Sequence, residues 1–155
     1  MDTYEKFKNL MEEYNELLDR LLDLEEAKIK IIASGGSVGL NSCMKDEEAE
    51  MLRMKGLDRK REKLLEETNQ QGKTFREIVD MQAAVQKTEL QPLYIDMREK
   101  THHLKKLTES TAGMIESRLI RVEHTIREMN GSNTYGKDGH IVKTGEMTKT
   151  IPVCV

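Results

Sequence analysis

Apolar residues in this chain recur every third or fourth position over long stretches, and that periodicity leaves little choice of fold. Tyr4, Phe7, Met11, Tyr14, Leu18 and Leu21 follow it, and Leu10, Leu17, Leu24 and Ile31 widen the stripe. Three-four spacing places side chains on one face of an α-helix, where a strand would alternate in twos. The spacing predicts a first helix over 2–33, about 48 Å long at 1.5 Å per residue. Ser34-Gly35-Gly36 ends it, because glycine adopts the left-handed conformation beyond a helix end at little cost.

Residues 34–45, rich in Gly, Ser and Asn, read as a loop. Ser42 or Asp46 is the expected cap of a second helix over 46–70, with Glu47 and Glu48 near its positive end. Met51, Met54, Leu57, Leu64 and Leu65 are its apolar positions. Gly72 marks either a break or a bend. Thr74 with Glu77 three residues on forms a capping-box pattern, which predicts a third helix over 75–91 carrying Phe75, Ile78, Val79, Gln82 and Val85. Pro92 disfavours helical geometry at Gln91 and is the expected end of that helix.

A fourth helix over 93–130 has the most regular pattern. Ile115, Leu119, Val122, Ile126 and Met129 advance by four, three, four and three, the seam of a coiled coil. Leu104 and Leu107 extend it backward, with Thr108 and Thr111 where apolar residues would otherwise stand. Gly131 ends the helix. Beyond it no long apolar face remains, and 131–155 is expected to be a flexible, disordered tail. The fold class expected is all-α: an antiparallel up-and-down bundle of three to four long helices, occupying 1–130, followed by that tail.

Composition supports this and narrows the function. Charged residues make up 34% of the 155 and aromatics only 4%, a balance that suits thin apolar seams on long helices rather than a sandwich or a doubly wound sheet. The net charge of −3 comes from interspersed signs, and the densest basic run, Arg59-Lys60-Arg61, is flanked by acids. That pattern is a solvated helix face, not a nucleic-acid footprint. No apolar run approaches the roughly 18 residues of a membrane span. Met1-Asp2-Thr3-Tyr4-Glu5-Lys6 lacks the apolar core of a signal peptide, so the cytoplasm is the expected compartment.

No constellation for catalysis stands out. His102 and His103 are adjacent and point about 100° apart on a helix. His124 and His140 have no i, i+4 histidine partner and belong to no known metal motif, so no metal and no cofactor is expected. Cys43 and Cys154 are isolated thiols without metal spacing. Ser34-Gly35-Gly36-Ser37-Val38-Gly39 follows a helix and lacks the Gly-Lys-Ser/Thr ending of a phosphate loop. Ten methionines are either adaptable lining for a partner helix or ordinary core filler, and Met51, Met54, Met114 and Met129 fit both readings.

Several features occur together in a recognisable order. Glu47-Glu48 and Arg59-Lys60-Arg61 come first. Then follow Glu99-Lys100-Thr101-His102-His103-Leu104-Lys105-Lys106-Leu107, Met114-Ile115-Glu116, and Thr134-Tyr135-Gly136-Lys137-Asp138-Gly139. The arrangement resembles the flagellar FlgN family of type III export chaperones, although Thr111 stands where that family usually has Asn. The resemblance implies a non-enzymatic binding protein. Such a protein holds the C-terminal segments of hook-associated (hook–filament junction) proteins, prevents their premature assembly and delivers them to the cytoplasmic domain of the export gate. It implies client binding by the last helix, through Leu104, Leu107, Thr111, Ile115, Leu119, Val122, Ile126 and Met129. It implies gate docking by the turn of Tyr135, Gly136 and Gly139. The alternative reading is a scaffolding bundle that self-associates, as a homo-oligomer, through its last helix.

Overall fold

The computed structural model describes residues 1–130, and every regular element among them is helical: α1, Thr3–Ala33; α2, Leu40–Glu67; α3, Phe75–Asp80; and α4, Ala84–Asn130. The expected tail and the Tyr135-Gly136-x-x-Gly139 turn lie outside the described residues.

The wide stripe of α1 follows from its central place. It packs along both α2 and α4, which do not approach each other. Ion pairs and hydrogen bonds give the directions. Along α2 the partners run in reverse: Lys6 with Glu67, Glu13 with Lys60, Arg20 with Glu50, Lys28 with Glu47. Along α4 they run forward, from Tyr4 with Glu89 through Asp19 with Lys100 to Gly36 with Arg118. The three long helices therefore run up, down and up, as the sequence predicts for a bundle.

Phe7, Leu10, Met11, Tyr14, Leu17, Leu18 and Leu21 of α1 are all buried, against Met54, Leu57, Leu64 and Leu65 of α2 and Leu90, Met97 and Leu104 of α4. Full burial of each such side chain contributes about 1.5–3 kcal/mol. The short α3 closes one end of the core. Its capping box is formed: the Thr74 hydroxyl accepts from the Glu77 amide, and the Glu77 carboxylate accepts from the Thr74 amide at 2.8 Å. Phe75 meets Tyr14 edge-on at 5.4 Å, and the Arg61 guanidinium lies over the Phe75 ring at 5.7 Å. Arg61, read as part of a solvated face, is thus half-buried cover for an aromatic pair. Toward the other end, Lys28 bridges the buried carboxylates of Glu25 (3.1 Å) and Glu47 (2.8 Å). Burial alone would depress the Lys28 pKa, but the two carboxylates outweigh it and hold the ammonium above its ordinary value.

Three boundaries depart from the sequence expectation. α2 begins at Leu40, not at 46, so Ser42 and Asp46 are helical residues rather than caps, and Glu47-Glu48 lie two turns inside. The start is made by Gly39 in the left-handed conformation (φ 85°), whose carbonyl accepts from the Cys43 amide at 3.0 Å. Partly buried Cys43 and Met44 supply packing that the polar composition of 34–45 hides. At its other end α2 stops at Glu67, and 68–74 is a true break. The third helix is six residues long, not 75–91, and α4 starts at Ala84 and runs through Pro92. Proline removes an amide donor and frees the carbonyl of Thr88. Both residues face solvent, so water satisfies that carbonyl, and fully buried Leu90 and Met97 hold the helix on either side. Val85, placed by the sequence on a buried face, is 77% exposed.

Candidate partner-binding surface

The residues of α4 that face α1 repeat every seven positions: Leu90, Met97, Leu104 and Thr111 are its buried residues. Seven residues span almost two turns, so this series drifts slowly around a straight helix. The next member is Arg118. Its guanidinium donates to the Gly36 carbonyl at 3.1 Å and also to the Gly35 carbonyl, both just past the C-terminal end of α1. A cation at that place complements the negative helix end. Arg118 therefore marks the level at which α1 stops. The remaining residues of α4, 119–130, project roughly 18 Å farther at 1.5 Å per residue.

The apolar stripe does not stop with α1. At 100° per residue, Ile115, Leu119, Val122, Ile126 and Met129 fall within an arc of about 80° that also contains Leu104 and Thr111. The two halves differ only in cover. Leu104 and Thr111 are each 3% exposed, while Ile115, Leu119 and Val122 are 48–50% and Met129 is 80% exposed. Five large apolar side chains thus line one uncovered face, where isolated exposed residues elsewhere on the surface need no explanation.

Charged residues border the stripe on both sides. Glu116, Glu123 and Arg127 follow one border, and Arg118 and Arg121 the other, each within about 60–120° of its centre. Beside the basic edge an open groove runs to the end of α1, lined by Ile32, Ala33, Gly113, Met114, Ser117 and Arg121 among others. Small residues on both helices open it.

The sequence-derived site residues divide accordingly. Leu104 belongs to the core and Leu107 is half-buried. Thr111 is buried in the α1–α4 seam, with its hydroxyl donating to the Leu107 carbonyl at 2.9 Å, which lets a polar residue occupy a core position. Leu104 and Thr111 are covered by α1 here. Ile115, Leu119, Val122, Ile126 and Met129 are brought together on the open face. The charged borders escaped the sequence reading. Arg118 carried a usable signal, since a charged residue continuing the series 90, 97, 104, 111 indicates where the neighbouring helix ends.

Of the methionines, Met54 is core and Met51 packs against it, whereas Met114 and Met129 lie at the projecting end. His102 and His103 are exposed, and His124 pairs with Glu128 at 3.1 Å. Among the described residues no group of histidine, cysteine and carboxylate side chains is arranged to hold a metal, and no helix is long and apolar enough to cross a membrane.

No curated protein and no solved structure matches the chain. A family model described as FlgN protein matches residues 1–143, which confirms the resemblance read from the residues. The proteins of that family are chaperones of flagellar export and not enzymes. With a match over nearly its full length, the chain belongs to the FlgN family.

Proposed function

We propose that this chaperone acts in the cytoplasm, binds the C-terminal segments of hook-associated junction proteins on the projecting end of α4, keeps them from assembling early, and presents them to the cytoplasmic domain of the export gate. Ile115, Leu119, Val122, Ile126 and Met129 form the contact, with Leu104, Leu107 and Thr111 holding α4 in place from the seam beneath. The observation that carries the reading is the uncovered stripe past the end of α1, on the same face that α1 covers lower down. Apolar segments of unassembled junction proteins need such a cover, because exposed amphipathic faces associate with one another. Tyr135 with Gly136 and Gly139 is the proposed gate-docking element, an aromatic anchor between two glycines.

Calorimetric titration with the C-terminal segment of a hook-associated protein tests this. Leu119→Asp or Val122→Asp abolishes binding while the circular dichroism of the bundle is unchanged. Tyr135→Ala keeps client binding and weakens capture by the export-gate domain. Undiminished client binding by Leu119→Asp refutes the assigned surface.

A further inference from the structure

We infer that, before a client arrives, the open stripe is covered by the chain's own segment 151–155, folded back from the end of α4. The consequence for clients rests on the client-binding reading: segment and client compete for one surface.

Need and reach are the first arguments. Ile115, Leu119, Val122, Ile126 and Met129 stand side by side and 39–80% exposed, and water drives such a face onto the nearest apolar partner. From Ile115 to Asn130, where α4 ends, the helix rises about 22 Å. The chain continues past Asn130 through a linker, 131–150, that contains Gly131, Gly136, Gly139 and Gly145. A flexible linker of that length has a root-mean-square reach of about 25 Å. Reach and span agree, which is the condition for the highest effective concentration, on the order of 1 mM. A second copy at micromolar concentration is about a thousandfold more dilute than this tethered segment.

Pattern is the next argument. The apolar residues beyond Asn130 are densest at Ile151-Pro152-Val153-Cys154-Val155. Pro152 and the glycines before it oppose a helix. In an extended chain Ile151, Val153 and Val155 point to one side, about 6.7 Å apart. These branched side chains then cover about 13 Å, little more than half of the stripe. A client that meets all five stripe residues therefore displaces the segment. A tethered segment with an intrinsic Kd of about 0.3 mM covers roughly three molecules in four and lowers the apparent client affinity about fourfold.

The test keeps the full-length chain. That chain has no tryptophan, so Val153→Trp adds a single fluorescent reporter of burial. Its emission lies to the blue in the otherwise unaltered chain. Adding Val122→Asp moves the emission to the red with the circular dichroism unchanged, and so does saturation with the C-terminal segment of a hook-associated protein. Dilution by about a hundredfold leaves the blue emission in place, because the contact is within one molecule. In titration calorimetry Ile151→Asp with Val153→Asp raises the affinity for that client segment about fourfold. Equal emission with and without Val122→Asp overturns the inference, and so does a client affinity unmoved by the substitutions at Ile151 and Val153. A blue emission that fades on dilution overturns it in favour of a second copy. If junction-protein segments lose binding on Leu119→Asp yet the reporter ignores Val122→Asp, the client reading stands and this inference alone falls. If those segments bind Leu119→Asp normally while the reporter responds to Val122→Asp, the client reading falls and the self-cover stands.

Discussion

Leu104→Ala and Leu119→Ala delete the same atoms from the same face of one helix, and they should have opposite consequences. Leu104 is 3% exposed in the α1–α4 seam. Its truncation loses transfer free energy and leaves a cavity, about 3 kcal/mol together. For a bundle of this size that corresponds to a melting temperature lower by roughly 10 °C. Leu119 is 48% exposed and lies past the end of α1. Its truncation removes little packing, and the higher helix propensity of Ala offsets part of that, so the melting temperature moves by less than about 2 °C. Client binding reverses the order. Covering the exposed half of Leu119 is worth about 1–1.5 kcal/mol, so Leu119→Ala weakens the client complex by about five- to tenfold. Leu104→Ala, measured well below its melting point, leaves affinity within about twofold. Thermal denaturation followed by circular dichroism and titration calorimetry read the two quantities on the same samples. A Leu119→Ala protein that melts as early as Leu104→Ala would mean the stripe is packed in the folded chain, and the reasoning would fail.

Lys28→Met removes the cation between the carboxylates of Glu25 and Glu47, which are 3% and 9% exposed at their side chains, and lowers urea stability by about 3 kcal/mol; adding Glu47→Leu recovers part of the loss. Pro92→Ala restores a donor to the Thr88 carbonyl and raises stability by about 1–2 kcal/mol, net of the greater freedom of the unfolded chain. Alkali lowers the stability of the bundle in a defined window. Burial first, then the bond to Glu89, pushes the Tyr4 phenol up to about 12, and Glu47 and Glu25 hold Lys28 above its ordinary value. A group whose pKa is raised by folding stabilises fully below its unfolded value and loses that contribution as pH rises through the folded one. Stability is therefore flat up to about pH 10 and falls between roughly 10 and 12. Denaturant melts across that range check it, and a stability that rises there contradicts the assignment.

The stripe of α1 was legible because a central helix must be apolar on two sides, and Phe7 to Leu21 repeat densely enough to declare it. The Thr74–Glu77 cap was legible because its bonds are local. Other boundaries were set by long-range packing that no local pattern encodes. Leu40 to Lys45 are helical because Gly39 starts the turn and partial burial of Cys43 and Met44 supports it. Pro92 lost its power to end a helix because it faces water while Leu90 and Met97 face the core. At the site, the 4-3-4-3 seam of Ile115 to Met129 was readable, but not where its cover ended. Leu104 and Ile115 look alike in sequence, and only the position of Gly35 and Gly36 beside Arg118 separates core from open face.

Hydrogen exchange of the full-length chain, alone and saturated with the C-terminal segment of a hook-associated protein, tests the central claim most directly. The account predicts new protection over 115–129 and none along the Leu90-to-Thr111 seam, which α1 already covers. Protection that appears instead along α2, or an unchanged 115–129 in a saturated complex, would contradict it.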